Sequence, residues 1–157
     1  MNKEQLSKYT VRTTQANKSE LVVVVYDIIL DEMTNAKMSF EQGDMDGFMY
    51  SVRHGQKFVL ELMNTLDVKY DISKELMRLY IFINREMINS MIRKDVSLLD
   101  GVVMVVEKLK VAFEGVAKED KSGPVMHNVE QVYAGLTYGK GTLNETAINN
   151  QGRGFMA

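Results

Sequence analysis

The chain has 157 residues, of which 45% are hydrophobic and 25% charged, and this allows a single domain with a sizeable core. A net charge of -2 leaves no surplus of lysine and arginine to neutralise phosphates, which argues against a general nucleic-acid binder. Without cysteine, disulfides and thiolate chemistry are excluded, as suits a reducing compartment.

In chain order, residues 1–16 are polar and weakly periodic, with Leu6, Tyr9 and Val11 as a short docking segment. They lack the apolar centre of a secretion signal, and the longest apolar run, Leu21 to Tyr26, is too short to cross a bilayer. The expectation is a soluble, cytoplasmic protein with no membrane insertion. Asn17 and Glu20 form a capping-box pair that opens a first long helix. Its face is Leu21, Val25, Ile29, Met33, Ala36 and Phe40, and this periodicity outweighs the strand propensity of Val22 to Val25.

Gly43-Asp44 ends that helix and caps the next, whose stripe is Phe48, Val52, Gly55, Val59, Leu62 and Leu66. Ser73 is the expected cap of a third helix over 73–93, which is apolar on two sides. One stripe is Leu76, Tyr80, Ile83, Met87 and Met91; the other is Met77, Ile81, Ile88 and Ile92. The second exceeds what one bundle helix needs, and predicts an apolar groove open to a ligand helix or a more central position. Asp95 or Ser97 caps a fourth helix ending near Ala117, with Leu99, Val102, Val106, Leu109, Phe113 and Val116 on its inner face. Short connections favour antiparallel neighbours, so the expected fold is all-α: an antiparallel up-down four-helix bundle over 17–117. Residues 118–157 read as an irregular Gly/Asn-rich extension with a short helix around 129–136, binding a separate partner or folding back on the chain's own groove.

Chemistry is sparse. Two histidines and no cysteine leave almost no zinc ligand set, and no Glu-x-x-His pair exists for a di-iron site, so no cofactor or metal is expected. The carboxylates read as solvated helix faces and caps. Gly135 to Thr142 lacks the spacing of a phosphate-binding loop. His54, followed three residues later by Lys57, has the spacing of a histidine phosphotransfer module; Phe58 stands where such modules need a glycine, and the expected state is a solvated surface histidine. Among twelve methionines, Met33, Met87 and Met91 are assigned to the core.

The order of short segments resembles the flagellin-specific export chaperones, the FliS family, from Tyr9 to Phe113. Tyr9 precedes an entry ending in Glu20-Leu21; Tyr26-Asp27 follows in the first long helix, and Glu41 to Asp44 in its turn. Glu61 to Asp67, Leu79-Tyr80, Asp95, Lys110 and Phe113 complete the pattern. Lys18, Ile28 and Met91 stand where the family usually has proline, glycine and asparagine. The resemblance implies a non-enzymatic cytoplasmic chaperone that binds the disordered C-terminal segment of flagellin before type III export; other flagellar export components as partners are left open. Homodimerisation is left open. Met77, Ile81, Ile88 and Ile92 are the expected cargo groove, with Tyr26 and Met49 nearby. Leu6 and Tyr9 are expected to cover part of it when cargo is absent, and the last 40 residues are expected outside the family core.

Overall fold

A computed structural model of the chain describes residues 2–126, and there every regular element is a helix. The elements are α1 (Lys3–Gln15), α2 (Lys18–Glu41), α3 (Met45–Thr65), α4 (Asp71–Arg93) and α5 (Leu98–Glu119). The expected docking segment is therefore a fifth helix. Its local cause is a capping box: Gln5 N donates to Asn2 Oδ1 at 2.8 Å, and Asn2 N to Gln5 Oε1 at 3.1 Å.

Asn17 and Glu20 make the anticipated box at the head of α2. Gly43, at φ +74°, turns the chain into α3, and Asp44 Oδ1 accepts from Gly47 N at 2.9 Å. Helix α4 starts two residues before its expected cap. Ser73 is buried inside the first turn, and Tyr70 takes the cap position without a side-chain bond. Before α5, Asp95 accepts from the backbone and hydroxyl of Ser97 in a local turn and caps no helix.

The packing is cyclic: α2 meets α3 and α5, and α4 meets α3 and α5. Residue order runs oppositely across two of these contacts. Phe40 packs on Phe48 while Glu32 meets His54, and Lys37 pairs with Asp100 while Asp27 pairs with Lys110. The core contains Ile29, Met33, Phe48, Val52, Val59, Ile83, Met87, Leu99, Val102 and Val106, all almost fully enclosed. Both long stripes thus face inward, except that Val116 at the end of α5 is exposed. At the centre, the hydroxyls of Tyr26 and Tyr80 share a 2.6 Å hydrogen bond between α2 and α4. Burial pushes both phenols up from their ordinary pKa, so they stay neutral.

After α5 the chain turns back to the α1–α2 junction. The Asp120 carboxylate accepts from Ser19 Oγ at 3.1 Å, and Val125 N donates to Ala16 O at 3.1 Å. The helix expected at 129–136 and the glycine-rich Gly135–Thr142 segment lie outside the described residues. No helix among the described residues is long and apolar enough to cross a membrane.

Candidate functional site

Helix α4 divides its apolar residues as the two stripes require. Leu76, Tyr80, Ile83 and Met87 are buried. On the other stripe Met77 is half-buried, while Ile81 is 50%, Ile88 37% and Ile92 74% exposed. Asn84 and Arg85 lie between Ile81 and Ile88 and flank the stripe on opposite sides, because residues three and four apart share a helix surface. Asn84 Oδ1 accepts from Gln56 Nε2 of α3 at 2.7 Å, so the Asn84 side faces α3. Arg85 lies on the outer edge.

That hydrogen bond also sets the register between the two helices. Only five residues separate α3 from α4, so the chain reverses, and one turn back from Gln56 corresponds to one turn on from Asn84. Arg53 then stands opposite Ile88, Met49 opposite Met91 and Ile92, Leu60 opposite Ile81, and Met63 opposite Met77. Met49 and Met63 are half-buried and Leu60 is exposed. These residues make an exposed apolar face beside the α3–α4 seam, crossed at mid-length by the Gln56–Asn84 pair. It brings together Met49, Met77, Ile81, Ile88 and Ile92, and adds Leu60 and Met63. Those two were missed because they lie off the α3 core stripe, though their spacing from Gln56 places them on the α4 side. The α3–α4 connection adds exposed Val68, Tyr70 and Ile72 at one end.

Tyr26 is not part of this face. It is 0% exposed, bonded to Tyr80 and edge-on to Phe113 at 5.6 Å. Leu6 and Tyr9 are also elsewhere. Tyr9 is buried against Val24 and Ile28 of α2 and Phe58 of α3, and Phe58 lies on the flank of α3 away from α4. Leu6 is 54% exposed. Helix α1 is therefore a lid over the outer face of α2, not over the α4 groove.

The lid is held by carboxylates. Asp31 accepts from the Tyr9 hydroxyl and from Gln5. Asp27 takes Arg12 at 2.7 Å and Lys110 at 2.6 Å, joining α1, α2 and α5. Burial alone would raise the Asp27 carboxyl, but hydrogen bonds from Lys110 and Arg12 outweigh it and hold it below its ordinary value. The same bond to Asp27 raises the Lys110 ammonium. Tyr9 is raised by burial and by its bond to Asp31. A cleft of about 520 Å³ beside Arg12, Glu20, Val24, Glu114 and Lys118 is of mixed polarity and separate from the groove.

His54 is not the solvated side chain expected. Its Nδ1 lies 3.1 Å from Glu32 Oε1, and its ring is stacked on Tyr50 and edge-on to Phe58. Glu32 itself is 0% exposed, which corrects the expectation that all carboxylates are solvated. Among the described residues no group of three or more acidic or histidine side chains is placed to hold a metal ion.

The family model described as Flagellar protein FliS matches residues 1–137. It therefore takes in α1 and part of the extension, both wider than the Tyr9–Phe113 resemblance. No curated protein matches the chain.

Proposed function

From the premise that this chain belongs to the FliS family of flagellar export chaperones, a family of chaperones and not of enzymes, we propose that it holds the C-terminal segment of flagellin before export. The observation that carries this reading is the exposed second stripe of α4, Ile81, Ile88 and Ile92 with Met77, beside the α3 wall. Such a surface suits an amphipathic segment that becomes helical in the groove. Each isoleucine fully covered contributes about 1.5–3 kcal/mol. Ordering a disordered segment costs about 2–5 kcal/mol or more. Two or three anchors are thus the minimum, and the groove offers four on α4 alone.

In this reading α2 to α5 form an antiparallel up-down four-helix bundle, and the holding takes place in the cytoplasm. The α1 lid shields a second apolar seat, Val24, Ile28 and Phe58, available to a longer cargo once Tyr9 lifts. The test is titration with a synthetic peptide of the flagellin C-terminus, read by gain of peptide helicity. Ile88→Asp should weaken binding at least tenfold. Undiminished binding of flagellin that lacks its C-terminal segment refutes the proposal.

A further inference from the structure

The groove carries charge as well as apolar surface, and the charge has one sign where the stripe is richest. Arg78 lies three residues before Ile81, and Arg85 lies four after it and three before Ile88, so both edge the stripe on its outer side. Arg53 closes the opposite edge, four residues after Met49 and facing Ile88 across the seam. Arg53 is exposed and has no ion-pair partner among the described residues. Arg78 pairs with Glu75 at 2.9 Å; Arg85 pairs with Glu86 at 3.4 Å and its guanidinium lies 5.5 Å from the centre of the Phe82 ring, contacts it must leave to engage a partner. Those glutamates lie on the far side of the arginines from the isoleucines. Arg78 and Glu75 are both exposed, and such a pair exchanges readily; Glu86 is half-buried, and Arg85 meets it at the longer distance with its own side chain 62% exposed. No carboxylate stands between the arginines and the stripe in the central groove.

The α1 seat on α2 shows the reciprocal arrangement within the same molecule. There an apolar patch is edged by Asp27 and Asp31, and the helix lying on it answers with Arg12. We propose that the α3–α4 groove selects an amphipathic helical segment whose apolar stripe is flanked by carboxylates, which Arg53, Arg78 and Arg85 engage. This rests on the reading that the groove seats a partner helix and adds which helix it prefers. The isoleucines supply affinity in either case. The arginines fix the register of the bound helix and discriminate against basic sequences.

The test uses the full chain and three synthetic peptides with one identical apolar stripe, flanked by glutamate, glutamine or lysine, followed by fluorescence anisotropy. At low ionic strength the glutamate peptide should bind about tenfold tighter than the glutamine peptide, and the lysine peptide weakest. The gap should shrink to about twofold at high salt. The exposed double variant R53E/R85E should invert the order of the glutamate and lysine peptides. Equal binding of all three, with Ile88→Asp still abolishing it, overturns the charge selection and leaves the groove reading standing. Binding that Ile88→Asp leaves unchanged overturns the groove reading, and this proposal with it.

Discussion

Tyr9→Ala should release α1 while leaving the bundle folded. Tyr9 is the buried residue of α1, 4% exposed, and its seat on Val24 and Ile28 forms a satellite cluster joined to the main core through Phe58. Aromatic-to-alanine changes in cores cost about 3–5 kcal/mol, and a one-sided satellite pocket that can partly collapse belongs at the lower end, about 3 kcal/mol. The remaining anchors, Arg12 on Asp27 and Gln5 on Asp31, are part-exposed and contribute up to about 1 kcal/mol each. A helix of 13 residues has little stability of its own in water. Losing about 3 kcal/mol therefore raises the undocked population about 100-fold. Amide exchange reads this directly: amides in the second half of α1 should exchange about 100-fold faster, while those around Val52 and Val106 stay slow. Parent-like protection of α1 in the variant, or exchange of α3 and α5 at the same raised rate, would refute the reasoning. The variant also separates two roles for Tyr9. If α1 only covers the α2 seat, a long cargo peptide binds Tyr9→Ala more tightly; if Tyr9 also touches cargo, it binds more weakly.

The Tyr26–Tyr80 bond predicts non-additivity: either Tyr→Phe change alone strands a buried hydroxyl at about 1–3 kcal/mol, and the double change should cost less than their sum in urea titration. Additive losses would mean that the phenols are satisfied independently. The α1 clasp should be acid-sensitive. Asp27 is held below its ordinary 3.8, so its contribution is present above that pH and lost as pH falls further. Lys110, raised above its ordinary 10.5, keeps its contribution below that pH and loses it on the alkaline side. Exchange of α1 should accordingly quicken below about pH 4, and an Asp27→Asn variant with the same acid profile would exclude this group as the cause. A Cβ at Gly55 would lie 2.9 Å from the flexible tip of Met33, so Gly55→Ala should change stability by about 1 kcal/mol or less, and Gly55→Val should cost about 1–3 kcal/mol. Lys94 ends α4 at φ 50°, and Lys94→Gly should raise the thermal midpoint by relieving about 1 kcal/mol of left-handed strain; an unchanged midpoint would count against that strain.

The long helices were legible because their periodicity coincides with burial. In α3 and α5 the same side chains that repeat at three and four residues are the ones enclosed. The α4 groove was legible as a surplus, since its second stripe has no counterpart to bury it. Helix α1 escaped because a helix held by one aromatic shows no period, although Asn2 and Gln5 already carry its capping box. Tyr26 is expected near the groove from a reading of helical faces, yet it lies three residues before Ile29 and seven before Met33, on the core side of α2. Its spacing from Ile29 and Met33 buries it. Glu32 was misread because acids usually face water, whereas its position three after Ile29 and four before Ala36 puts it at the edge of the core, against His54.

Two helices in this chain carry more apolar surface than the cyclic packing consumes. On α2 the excess, Val24 and Ile28, is covered by the chain's own α1. On α4 no described residue covers it, and Ile81 and Ile92 are 50% and 74% exposed. The two-residue connection Ala16-Asn17 ties α1 to the head of α2, a helix that packs mainly on α3 and α5, and charge agrees with that placement. The lysines and arginine of α1, Lys3, Lys8 and Arg12, outnumber its one acid, Glu4, and they would meet Arg53, Arg78 and Arg85 in the α4 groove. On α2 Arg12 meets Asp27 instead. Like charges brought together in a partly desolvated seam repel, so the charge pattern of α1 suits the α2 seat and not the α4 face.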